Sequence, residues 1–341
     1  MLVSSIVFFV FSMGGMLCFS ATKTIVIAQE RSDGTDSERW QESAQGDALC
    51  FRTDSSEEGV RIPLPPELRA DDIVIENRYI DHCIDIILTG KYKEFYQNHA
   101  LTGNDSRVEG GFLSQDDGLT RLELRMSGPC EHQYMFENGM LRLSFHDPRK
   151  LYDKIIVIDA AHGGGDDGAV GNGVREKEIT LRIAEKVREG LEDSEVHVYC
   201  TRTDDADLTE EERVEFVNEL HADMLISIRT GADESNERTY GIRTTYNGTY
   251  FIPYFGNVEL ADLLEKHTVK TSGSKADGLA EAGIEDTLLW NVQIPAAAIE
   301  VGYVTNREEA SFLMIEEYQE KMAEGIINAV NEAYEIMEQN H

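Results

Sequence analysis

Four aliphatic residues in succession, Ile155, Ile156, Val157 and Ile158, are closed by Asp159 and followed by His162 and a run of glycines. A strand apolar on both alternating faces is covered on both sides, which is the habit of a parallel sheet. In open sheets of that kind, ligands sit beyond the carboxyl ends of the strands. His162 therefore stands at a functional address before its chemistry is considered. Glu176 lies at the far end of the glycine-rich loop, where the next helical pattern begins.

The pattern downstream alternates. Ile179, Ile183, Val187 and Leu191 share one stripe and predict a helix over residues 176–191. Residues 195–199 read as a second strand. Thr209 and Glu212 form a capping-box pattern that opens a helix reaching Leu220. Residues 223–228 make a third buried strand, ending at Arg229. A strand over 241–246, a helix over 258–267, a strand over 296–301, a cap at Asn306 and an amphipathic helix over 318–337 complete the series. Such alternation predicts an α/β domain over residues 151–341, doubly wound, with a mostly parallel sheet and helices on both faces.

Upstream the period changes to two. Leu122, Leu124 and Met126 alternate with Arg121, Glu123 and Arg125, and Leu141, Leu143 and Phe145 alternate in the same way. Turn signals such as Asn138-Gly139 separate the runs. These features predict a small, β-rich, antiparallel sandwich-like accessory domain over residues 67–150. Residues 23–66 are polar and acidic, end in a proline-rich stretch, and read as a disordered linker. Residues 2–22 carry no charge and are rich in large apolar side chains, as in a signal peptide or membrane anchor. The expected location is extracytoplasmic, secreted or anchored at the cell envelope, with membrane contact only through this N-terminal segment.

Sixty-four acidic residues against 31 basic ones give a formal net charge of −33. Nucleic acid is excluded as a partner, because phosphate affinity needs clustered Lys and Arg. Cys50, Cys83, Cys130 and Cys200 follow the leader with no metal-knuckle spacing. Cys83 and Cys130 are open to two readings, a disulfide within one domain or two buried thiols.

Three residues fall at the carboxyl ends of predicted strands: His162, Arg229 and Glu300. Glu176 joins them from the first loop. A hydrolytic zinc site needs three protein ligands, an open water position and a nearby carboxylate base. His162 and Glu176 could supply two ligands, and Glu300 the base.

At these residues the chain resembles the zinc-dependent N-acetylmuramoyl-L-alanine amidases of the Amidase_3 family. The resemblance runs from Lys154 to about Val330. It rests on Ile158-Asp-Ala-Ala-His162-Gly-Gly, Gly171-Asn-Gly-Val-Arg-Glu176-Lys, Thr201-Arg-Thr-Asp204, Ala222-Asp-Met-Leu-Ile-Ser-Ile228 and Ala298-Ile-Glu300-Val-Gly-Tyr-Val-Thr-Asn306, in the family's order. It implies zinc as cofactor, His162 and Glu176 as metal ligands, Glu300 as the catalytic glutamate, and peptidoglycan as the partner. The implied reaction is cleavage of the amide between N-acetylmuramic acid and L-alanine by zinc-activated water.

The chain departs from the family at one ligand. Arg229 stands where the resemblance implies a second zinc histidine, and a guanidinium has no lone pair to donate. Asp166 and Asp233, close in sequence to the site loops, are the candidate replacement ligands. The competing expectation is an ion pair from Arg229 to Glu176, Glu300 or both, standing in for the metal. Two functions follow: an active cell-wall hydrolase, or a metal-free pseudo-amidase that binds peptidoglycan or regulates another hydrolase.

Overall fold

The computed structural model describes residues 47–339, so the expected leader over 1–22 and the spacer up to residue 46 lie outside the described residues. The chain divides into two compact units, with the boundary between Leu151 and Tyr152.

The first unit contains β1 (Asp47–Ala48), β2 (Phe51–Pro63), β3 (Ile73–Arg78), β4 (Cys83–Thr89), α1 (Lys93–Asn98), β5 (Leu101–Asn104), β6 (Val108–Asp116), β7 (Leu119–Met126), β8 (Glu131–Glu137), β9 (Met140–His146) and the single-turn α2 (Pro148–Leu151). One sheet has the order β1-β6-β7-β4-β3 and is antiparallel throughout; the other has the order β5-β2-β9-β8. Period-two alternation sends Ile84, Ile86 and Leu88 of β4, and Leu122, Leu124 and Met126 of β7, into one core. There they meet Leu141, Leu143 and Phe145 of β9. The β8–β9 hairpin closes at Asn138 and Gly139, both at positive φ (50° and 74°), as a two-residue turn that matches strand twist requires.

The structure corrects two expectations here. Residues 47–63, read from composition as linker, are strands, and Val60 and Ile62 lie in the core at 3% and 0% exposure. Among the described residues few apolar side chains mark the inward face, Leu49, Val60 and Ile62 with Phe51 packed against the same core, while the ladder is made by backbone groups that composition does not reveal. In addition, β2 and β5 pair in parallel within an otherwise antiparallel unit. Cys83 and Cys130 are separate buried thiols, and burial pushes each up to about 12.

The second unit contains β10 (Lys154–Ala160), the short hairpin β11 (Val170–Gly171) and β12 (Val174–Arg175), α3 (Glu176–Leu191), β13 (Val196–Cys200), α4 (Glu210–Glu219), β14 (Met224–Gly231), β15 (Ile242–Tyr246), α5 (Asn257–Ser272), β16 (Ala276–Glu281), α6 (Thr287–Asn291), β17 (Ala296–Tyr303), α7 (Arg307–Leu313) and α8 (Glu316–Gln339). Its six-stranded sheet has the order β13-β10-β14-β17-β15-β16. The first four strands are parallel; β15 runs antiparallel to β17, and β16 parallel to β15.

On one sheet face, Ile156 and Ile158 of β10 and Ile226 and Ile228 of β14 pack under α3, α5 and α8. The stripe Ile179, Ile183, Val187 and Leu191 of α3 is fully inside this core. Each such side chain contributes roughly 1.5–3 kcal/mol by leaving water. Residues of opposite parity, Asp159, Ser227, Arg229 and Glu300, face the other side, where α4 and α6 pack against each other. That second face is polar at the carboxyl ends of β10, β14 and β17. Among the described residues no helix is long and apolar enough to cross a membrane.

Candidate functional site

The loop after β10 is shaped by two buried arginines. Arg202 gives hydrogen bonds to the carbonyls of Ala160 (2.9 Å), Ala161 (3.1 Å) and Lys177 (2.8 Å). Arg213, from α4, donates to the carbonyls of Ala160 (3.0 Å) and His162 (2.9 Å) and to the Asp159 carboxylate (2.5 Å). Asp159 also accepts from Thr201 (2.8 Å) and Ser227 (2.6 Å), which joins β10, β13 and β14. Burial pushes the Asp159 carboxyl up, but Arg213 and the two hydroxyls more than reverse this and hold it below the usual carboxylate range. His162 sits at a φ of 62°, the left-handed region that side chains rarely adopt, and the bond from Arg213 to its carbonyl holds it there.

The imidazole is gripped on both nitrogens. Nδ1 lies 2.6 Å from Asp166 Oδ2, and Nε2 lies 3.3 Å from Glu176 Oε2. Glu176, chiefly, and Asp166 raise the ring's pKa to about 9, against its burial. Glu176 is itself pinned, accepting the Thr230 N–H on Oε1 (2.7 Å) and the Ala169 N–H on Oε2 (2.8 Å). Gly168 allows this packing: at a φ of 65°, a Cβ there would stand 2.5 Å from His162 Cδ2. Lys177 ties the glycine loop down through the Gly164 carbonyl (2.6 Å) and Asp205 (3.0 Å).

Glu300 is positioned by register. It lies directly across from Arg229 of β14 on one side and Arg243 of β15 on the other. Burial raises its pKa, while Arg243 and Arg229 oppose the rise. Arg243 is paired to Asp277 (2.7 Å), which also accepts the Tyr303 hydroxyl (2.8 Å). Asp286, Arg229, Glu300, Arg243 and Asp277 thus alternate in sign across the second face.

Arg229 does not pair with Glu176 or Glu300. Its guanidinium forks onto Asp286 (2.6 and 3.2 Å), and its Nε donates to Ser227 (3.2 Å). Asp286 comes from the loop after β16, where it also caps α6 by accepting the Leu289 N–H (3.1 Å). Nothing in strand-end arithmetic could have pointed to it.

The two candidate replacement ligands have other partners. Asp166 is on the opposite ring nitrogen from Glu176, where it orients the imidazole. Asp233 closes its own loop, accepting from Ser235, Asn236 and Thr239. His162 and Glu176 remain as a two-donor pair. Among the described residues, no three His, Cys, Asp or Glu side chains gather as a metal would need. This donor set does not fit a three-ligand zinc centre.

Sequence reasoning placed His162 and Glu300 at strand ends and Glu176 where the following helix begins, but assigned no role to Asp159, Arg202 or Arg213. The available signal was weak: Arg213 is a lone cation in a helix whose first turn is all acidic.

The six-stranded sheet, with helices on both faces and polar residues at the carboxyl ends of its strands, defines the class as α/β. The sequence profile of N-acetylmuramoyl-L-alanine amidase matches residues 156–332. An uncharacterized protein, YqiI, of Bacillus subtilis is 34% identical over 185 residues, covering 53% of this chain and 85% of that protein. The germination-specific N-acetylmuramoyl-L-alanine amidase of the same organism is 33% identical over 198 residues, covering 53% and 79%. The crystal structure of N-acetylmuramoyl-L-alanine amidase from Clostridium difficile 630 superposes with a TM-score of 0.51 at 29% identity, covering 53% of this chain and 97% of that one. The chain belongs to the N-acetylmuramoyl-L-alanine amidase family.

Proposed function

We propose that this protein is an extracytoplasmic member of the family that binds peptidoglycan at the N-acetylmuramic acid–L-alanine junction without hydrolysing it. The observation that carries the reading is Arg229. At the address where the family resemblance implies a second zinc histidine stands a guanidinium without a lone pair, fastened to Asp286 and Ser227. The polar second face remains furnished for a ligand. Glu300 is half-buried between two arginines, burial raising its pKa against them, and its carboxyl group can hydrogen-bond an amide.

A second reading, hydrolysis of the same amide, is favoured by one observation. His162 Nε2 and Glu176 Oε2 stand 3.3 Å apart with Asp166 behind the ring, an arrangement in which outer carboxylates orient metal-binding histidines. In that reading Glu300 would take a proton from water and return it to the leaving amine.

The deciding experiment incubates the purified protein with peptidoglycan sacculi, then measures co-sedimentation and newly exposed N-terminal alanine. Co-sedimentation with no new alanine termini is expected. Catalytic release of those termini would establish the hydrolase reading instead. Neither binding nor release would defeat both.

A further inference from the structure

Glu300 and Arg243 lie directly across from each other in the antiparallel pair of β17 and β15. Opposite charges at such positions ordinarily attract, their Cβ atoms standing about 4.5–5.5 Å apart. Yet among the described residues no hydrogen bond or ion pair reaches the Glu300 carboxyl. The charges around it, Arg243, Arg229, Glu176 and Asp277, act on it only through space.

Arg243 is held elsewhere. Its guanidinium pairs with Asp277 (2.7 Å) and lies over the Tyr303 ring, 6.0 Å from the centroid. Asp277 is fixed in turn, since the same carboxylate oxygen accepts the hydroxyl of buried Tyr303 (2.8 Å). The ladder also singles Asp277 out. In the parallel pair of β15 and β16, Ile242 lies across from Ala276 and Arg243 across from Gly278, so Asp277 is an extra residue between them. Extra residues of this kind re-aim a side chain, and they recur beside functional sites. The Asp277 side chain is only 19% exposed, so its hold on Arg243 is more than a solvated surface contact.

We infer that Asp277 is a positioning residue for Glu300: by holding the Arg243 guanidinium, it keeps the Glu300 carboxyl open to the amide of the ligand. The inference rests on the reading above, in which Glu300 meets the N-acetylmuramic acid–L-alanine amide, and adds the residue that keeps it available. Consider the Asp277 charge removed. A guanidinium–carboxylate hydrogen bond is about twice as strong as one to a neutral group, so Arg243 would leave an asparagine for Glu300. It would then occupy the lone pairs that the amide N–H needs and hold the carboxylate ionised.

The test uses the full-length protein labelled with carboxyl-13C glutamate, with the Glu300 resonance identified by its loss in Glu300→Gln. The probe is N-acetylmuramoyl-L-alanine methylamide, which contains the junction and brings no carboxylate of its own. Native protein, Asp277→Asn and Asp277→Asn/Arg243→Met are each titrated with acid and, at pH 7, with the probe. Circular dichroism confirms folding, and Asp277→Ser, smaller and still able to accept from Tyr303, replaces Asp277→Asn if that variant does not fold. In Asp277→Asn the Glu300 carboxyl should titrate at lower pH than in the native protein. Its affinity for the probe should fall at least about tenfold, the worth of one hydrogen bond to a charged group. The double variant should reverse both changes, because no guanidinium remains to fall onto Glu300. An unchanged Glu300 titration in Asp277→Asn would overturn the inference, as would a loss of affinity that the double variant does not recover, which marks a merely structural role. A native protein that does not bind the probe would defeat the peptidoglycan reading instead, and the acid titrations would still decide whether Asp277 holds Arg243 off Glu300.

Discussion

Replacing Arg213 with methionine should be among the most destabilising single changes available in the α/β unit. The side chain is 1% exposed and its partner Asp159 is equally buried. Methionine fills similar space but removes the bond to Asp159 and both bonds to the Ala160 and His162 carbonyls. Breaking one side of a buried ion pair costs about 3–5 kcal/mol, because the remaining charge is left in a medium that solvates it poorly. Ala160 keeps its bond from Arg202, which limits the additional cost at that carbonyl. For a unit of this size each kcal/mol lowers Tm by about 2–4 °C, so a fall of roughly 6–20 °C is expected. Thermal and urea unfolding, followed by circular dichroism, read this directly. The double variant Arg213→Met/Asp159→Leu should recover part of the loss, since it removes both charges together. A loss under about 1 kcal/mol for Arg213→Met, or no recovery in the double variant, would refute the reasoning that this ion pair organises the His162 loop.

Two further outcomes follow from burial. Ile62→Ala should cost about 2–5 kcal/mol in the unfolding of the β-unit, because the side chain is fully enclosed; a spacer residue would show no effect, which urea titration would reveal. Burial pushes His132 in the β-unit and His197 in the α/β unit down to about 4. Their folded values lie below the unfolded value of about 6.5, so the stability held by the neutral rings is complete above that pH and is lost as pH falls toward 4. Each ring accounts for about 1–3 kcal/mol, and a flat urea midpoint between pH 7 and pH 4 would contradict the assignment.

The chain itself determined the α/β unit and which residues stand at the carboxyl ends of its strands. Four aliphatic residues ending in Asp159 specify a strand covered on both faces, and the stripe of Ile179, Ile183, Val187 and Leu191 specifies the helix that covers it. Both are local signals, set by the periods of strand and helix, and they bring His162, Glu176 and Glu300 to one edge without knowledge of distant contacts. Strand β2 escaped the same logic because its inward apolar residues, Phe51, Val60 and Ile62 among those described, are interrupted by a polar stretch, and its pairing with β9 is a matter of backbone groups. Tertiary structure alone decided what Arg229 does. Its partner Asp286 lies on a loop that reaches the second sheet face only after β15 and β16 have reversed direction, and a charge is paired by proximity in space, not along the chain. The same holds for Arg202 and Arg213, whose hydrogen bonds to the end of β10 exist only once β13 and α4 are packed beside it.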